Sequence, residues 1–215
     1  SGFDVNTRAP LDAVLTGMVV QSGNDASIAM AEHVAGTQEA FADLMNSYAA
    51  KIGMTNSRFV NAHGLDADGQ VVTARDMALL ARAMIRDFPD AYALHSIKEF
   101  TWNGITQHNR NGLLWKDPTV DGIKTGHTTN AGYNLAASAK RGDMRLISVV
   151  MGIETDSRAD AFRIREGDNL ALLNWGFRFY ETHALFGGSA TLATQPLFKG
   201  ETGTVELGVT TPVLV

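Results

Sequence analysis

Val120-Asp-Gly-Ile-Lys-Thr-Gly-His-Thr128 leads into YNLAASAK at 133–140 and, past Arg141-Gly142-Asp143, into MRLISVVMGI at 144–153. The last two runs have the length and apolar content of strands, and the glycine between them sits among polar residues, as a tight hairpin turn requires. Residues 120–153 are therefore predicted to be the best β region of the chain. What lies on either side decides how that sheet is covered.

Upstream the apolar period changes from two to about 3.6. Leu11, Val14, Leu15, Met18 and Val19 form the i, i+3, i+4, i+7, i+8 stripe of a buried helix face across 10–21. Ser22-Gly23-Asn24-Asp25 then combines glycine with capping residues, which predicts the end of one helix and the start of another over 26–35. A third helix is predicted over 38–52, with Phe41, Leu44, Met45, Tyr48 and Ile52 on one side and Gly53 as its C-cap. Residues 54–72 read as loop, and Thr73 with Asp76 resembles a capping box opening a helix to about Arg86. A short hairpin is expected around Asn103-Gly104.

Downstream, 156–181 reads as one long helix, and 187–215 turns to alternating threonine, valine and glycine, expected to be strands of a second, all-β module. The fold class expected is α/β (α+β): a sandwich of antiparallel sheet and helices with a helical subdomain, not a doubly wound sheet. The domains are expected at 1–184 and 185–215, with the second only begun.

Composition narrows the function. A net charge of −5 provides no basic field for nucleic acid, so no nucleic-acid partner is expected. No cysteine is present, which excludes disulfides, thiol catalysis and cysteine–zinc sites. The histidines other than His127, at 33, 63, 95, 108 and 183, have no metal-ligand spacing. Asp66 and Asp68 lack the further ligands of a calcium loop. No metal and no cofactor are expected.

Two short motifs carry chemistry. A lysine on a sheet edge offers positive charge to a substrate carboxylate; a threonine hydroxyl can donate to the same group, and glycine admits a close backbone, so Lys124, Thr125 and Gly126 read as an anion-binding strand. The bland reading is a solvated lysine beside a turn. Ser22 and Asn24 could simply cap helices. Their functional reading makes the Ser22 hydroxyl a proton relay and the Asn24 amide a holder of a substrate carbonyl.

Ser-x-Asn at a helix junction followed about a hundred residues later by Lys-Thr-Gly entering a hairpin sheet resembles the layout of serine penicillin-recognising enzymes. Gln21-Ser-Gly-Asn-Asp-Ala26, His63-Gly-Leu-Asp-Ala-Asp-Gly-Gln70, Asn109-Arg-Asn-Gly-Leu-Leu-Trp115, the 120–128 string and Trp175-Gly-Phe-Arg-Phe179 resemble the low-molecular-mass penicillin-binding proteins of the D-alanyl-D-alanine carboxypeptidase type. The resemblance implies the β-lactamase/transpeptidase-like fold. It implies hydrolysis of stem peptides ending in D-Ala-D-Ala through an acyl-enzyme, with β-lactam antibiotics as inhibitors. It further implies a periplasmic protein resting on the inner-membrane surface through a C-terminal amphipathic helix not contained in these residues. Carried over by position, Ser22, Asn24 and Lys124 become catalytic. Lys124, Thr125, Gly126, His127 and Arg110 become the substrate-binding set, with Gly64-Leu65 in a loop flanking the site floor.

The family's nucleophile belongs to a Ser-x-x-Lys motif, whose spacing puts both side chains on one helix face. Three residues before Lys51, Lys98, Lys116, Lys124, Lys140 and Lys199 stand Tyr48, His95, Leu113, Asp121, Ala137 and Pro196, so the motif is absent. The expectation is that it precedes Ser1 or has been dropped, together with strands of the central sheet. Residues 1–184 alone are then expected to leave a sheet edge unfilled and to fold poorly. Two alternatives are kept. A class A-like β-lactamase needs a Glu-x-x-x-Asn element between the two motifs, whereas the nearest resemblance, Glu166-Gly-Asp-Asn169, follows both. A non-catalytic peptidoglycan-binding domain would have no use for an intact relay.

Overall fold

A computed structural model describes residues 1–4 and 7–215. The helical cluster comprises α1 (Leu11–Val20), α2 (Asn24–Ala35), α3 (Gln38–Lys51) and α4 (Ala74–Asp87). Thr37 and Thr73 cap α3 and α4, each hydroxyl accepting from the backbone N–H three residues on, 3.1 Å away in both cases. The capping box at Thr73 is one-sided. Asp76 does not reach back; its buried carboxylate accepts from Asn56 N–H at 2.9 Å and Ser57 Oγ–H at 2.7 Å, tying the 54–72 loop to the helix. Pro89, just past the end of α4, opens a one-turn helix α5 (Pro89–Tyr92), as its fixed φ and missing donor permit. A 3₁₀ turn (Ala93–Ser96) follows.

The Asn103-Gly104 hairpin joins β1 (Glu99–Trp102) to β2 (Ile105–His108), both turn residues at positive φ as a type I′ turn demands. A short helix α6 (Leu113–Lys116) leads into the main sheet of β3 (Val120–Thr128), β4 (Gly132–Arg141) and β5 (Met144–Ile153), antiparallel in the order β3-β4-β5. The Lys-Thr-Gly tripeptide thus lies within a strand. Alternation along β4 divides its side chains between two cores. Leu135, Ala137 and Ala139 pack with Leu113, Leu114 and Leu173, the last on α7 (Arg158–Phe179). Ala136 packs with Ile123, Ile147, Ala81 of α4 and Tyr92 of α5. The sheet is therefore covered by α7 on one face and by α4–α5 on the other, the antiparallel sandwich expected.

The long helix is two residues shorter at each end than its expected span, beginning where the Ser157 hydroxyl accepts from Asp160 N–H at 3.2 Å. Beyond it, β6 (Ala184–Phe186) pairs with β9 (Val213–Leu214), and β7 (Ala190–Pro196) with β8 (Thr204–Val209). Between 184 and 215 no residue is buried, so these hairpins enclose no core of their own.

Candidate active site

The chain between α1 and α2 is reversed at Ser22, whose φ of 62° is a left-handed conformation that side chains other than glycine, asparagine and aspartate rarely adopt. Neither helix end is capped by a side chain here: α2 starts behind Gly23 with no side-chain cap hydrogen bond. The capping role that sequence offered for Ser22 is therefore not the one its hydroxyl performs. Ser22 Oγ accepts a hydrogen bond from Lys124 Nζ at 2.8 Å, joining positions 102 residues apart. The strained turn aims the hydroxyl at the strand.

Lys124 also donates to its own neighbour, the Thr125 carbonyl, at 3.0 Å. Burial, then the positive charges of Arg110 and Arg165, lowers its pKa to about 8. An ammonium surrounded by cations and turned from water favours an anion as its third partner.

Arg110 is exposed, on a loop pinned from two sides. From one side Asn109 donates its amide to the Ile97 carbonyl at 3.0 Å. From the other, Arg165 donates from Nη2 to the Arg110 carbonyl at 2.7 Å. Sequence reasoning missed Arg165. It is 2% exposed in mid-helix, lies 4.2 Å over the Phe162 ring, and its Nε–H has no partner among the described residues. The available signal was an arginine in a helix whose neighbouring positions supply the core; its direction toward the Lys124 side required the fold.

The other expected residues cluster around this pair. Asn24 is exposed on the first turn of α2. Thr125 is half-buried and follows Lys124 on β3. Gly126 is exposed, and a Cβ there would come no closer than 3.8 Å to Asn134, so the protein's own packing does not require glycine. His127 is exposed and its ring lies 3.9 Å from that of Tyr133, its register partner on β4; Tyr133 in turn meets Phe162 edge-on. The loop holding Gly64-Leu65 is organised by Asn61 and Gln70 and touches the β3–β4 turn where Asp66 accepts from Asn130 N–H at 3.3 Å. Glu166 and Asn169 are both turned into the fold. Glu166 pairs with Lys116 at 2.7 Å, and Asn169 accepts from the Ser148 hydroxyl at 2.6 Å, which leaves neither free to activate water.

A family profile described as D-alanyl-D-alanine carboxypeptidase matches residues 3–155. The chain is 56% identical over 193 residues to D-alanyl-D-alanine carboxypeptidase DacC of Escherichia coli (strain K12), covering 89% of this chain and 47% of that protein. Penicillin binding protein 5 from Haemophilus influenzae superposes with a TM-score of 0.86 at 42% identity, over 99% of this chain and 61% of that one. Penicillin-binding protein D2 from Listeria monocytogenes, solved with cefotaxime bound, superposes at 0.69 with 31% identity, over 80% of this chain and 69% of that one. The chain spans about half the length of the curated relatives it matches.

Proposed function

Since the chain belongs to the D-alanyl-D-alanine carboxypeptidase family, we propose that it supplies the relay and the carboxylate-binding strand of a serine D,D-carboxypeptidase. The Lys124–Ser22 hydrogen bond carries this reading, because neither packing nor capping calls for an ammonium on that hydroxyl. Lys124, Thr125, Arg110 and Arg165 together hold the terminal D-Ala carboxylate of a peptidoglycan stem peptide. Lys124 donates to Ser22 Oγ, which leaves the serine's own proton free to pass to the departing D-Ala nitrogen. Asn24 holds an amide carbonyl of the substrate. Gly126 lets the substrate backbone lie along the strand, with His127 beside it.

The nucleophile is a Ser-x-x-Lys serine from polypeptide outside these residues. It attacks the carbonyl of the D-Ala–D-Ala peptide bond, free D-Ala leaves, and water hydrolyses the acyl-enzyme to the shortened peptide. β-Lactams occupy the same site and acylate the same serine. The protein works in the periplasm on the inner-membrane surface. Incubating the complete gene product with a D-Ala-D-Ala pentapeptide tests this: stoichiometric D-Ala and tetrapeptide are expected. Absence of release together with absence of fluorescent-penicillin labelling would favour a binding domain, and fast penicillin turnover a β-lactamase.

A further inference from the structure

His95 lies in the 3₁₀ turn, 9% exposed, outside the set of residues just assigned. Its Nδ1 is 2.9 Å from the carbonyl oxygen of Ile123, the residue before Lys124. A carbonyl can only accept, so Nδ1 carries the proton. β3 is an edge strand of its sheet, which leaves alternate backbone groups without a strand partner; the Ile123 carbonyl finds its partner in this imidazole.

The contact is part of a clamp. Tyr92, whose ring centre is 5.5 Å from that of His95, donates its hydroxyl to Asp121 at 2.8 Å. Between them passes Gly122, where a Cβ would meet Tyr92 Oη at 2.7 Å and His95 Cβ at 3.2 Å, so only glycine lets the turn press this closely on the strand. Asp121, Gly122 and Ile123 are thus gripped in succession immediately before the lysine. The carbonyls of His95 and Ile97 receive the Asn109 amide, at 3.5 and 3.0 Å, so the same turn also anchors the loop presenting Arg110.

We propose that His95 is a positioning residue for Lys124, its Nδ1–H to the Ile123 carbonyl setting where along the edge strand the lysine meets Ser22. This rests on the function proposed above and adds a residue to it. Burial first, with the Lys124 charge adding to it, keeps the imidazole below its ordinary pKa, against the opposing pull of the Ile123 carbonyl and Asp121. The ring is therefore a neutral donor at working pH.

The test uses the complete gene product in three forms: wild type, His95→Asn, whose amide nitrogen falls where Nδ1 was, and His95→Phe, which keeps the ring without the donor. Fluorescent-penicillin acylation rates are measured across pH, with thermal melts. His95→Phe is expected to acylate about tenfold or more slowly, with its alkaline limb moved upward as Lys124 leaves its cationic surroundings, while His95→Asn stays within about threefold of wild type. Equal losses in both variants, or wild-type behaviour of His95→Phe, would overturn the proposal. If His95→Phe does not fold, histidine ¹⁵N spectra of the wild type decide the point: the Nδ1–H tautomer at His95 supports the bond and the Nε2–H tautomer refutes it. A wild type that takes no label would instead overturn the functional reading on which the proposal rests, while the spectra still report on the bond.

Discussion

Ser22 combines an unfavourable backbone with an unusual partner. The left-handed conformation costs a non-glycine residue about 1–2 kcal/mol, so Ser22→Gly is expected to be about 1 kcal/mol more stable than Ser22→Ala, although both lack the hydroxyl and both acylate slowly. Comparing their melting temperatures and penicillin rates separates strain from chemistry. Lys124 carries a stability cost of its own. Its folded pKa of about 8 lies below its unfolded value near 10.5, so the unfolded chain holds the proton more tightly. Below pH 8 the folded state bears the whole cost, on the order of 3 kcal/mol, and stability rises as pH climbs from about 8 to 10.5. Lys124→Met is therefore expected to be inactive yet to melt higher at pH 7, with the difference shrinking over that interval. A variant that melts lower at pH 7 and shows no such convergence would contradict the buried-ammonium account. Sequence alone named both residues, but each also had a bland reading. The fold brings the two side chains together across 102 positions, a meeting that no local pattern encodes. Arg165 and His95 were illegible for a related reason: their work is done by directions of side chains within the fold, toward a carbonyl on another element.

The elements themselves were largely readable, because their signals are local. Asn103-Gly104 gave its hairpin, Thr73 gave a helix start, and the apolar runs around Arg141-Gly142-Asp143 gave the strands of the sheet. One reading failed where a local signal served another element: Asp76 is engaged by Asn56 and Ser57 instead of closing its capping box. The long helix makes a sharp test of the sandwich. Leu173 is 1% exposed within the core under β4, whereas adjacent Leu172 is 49% exposed. In the complete gene product, Leu173→Ala is expected to cost about 2–5 kcal/mol by denaturant melts and Leu172→Ala under about 1 kcal/mol. Similar costs at both positions would mean that α7 meets a partner on its outer face as well.

At the scale of the molecule, one edge of the main sheet is formed by β5. Among the described residues β5 pairs with β4 alone, and it is a ten-residue, largely apolar edge. Leu172, Trp175 and Phe179 leave a further apolar stripe exposed on α7. Long apolar edges recruit further strands, so the isolated 215-residue chain is expected to self-associate and to unfold without a sharp transition. Sedimentation velocity showing a monomer, with a cooperative melt, would contradict this. The complete gene product is expected to unfold cooperatively, with residues 1–184 in one domain and the 185–215 hairpins in the next. The central claim concerns division of labour: Ser22 relays a proton and another serine bears the acyl group. Peptide mapping by mass spectrometry of the penicillin-treated complete product reads this directly. The account predicts a single penicilloyl adduct on a Ser-x-x-Lys serine outside these residues, with the Ser22 peptide unmodified. An adduct on Ser22 itself would contradict it.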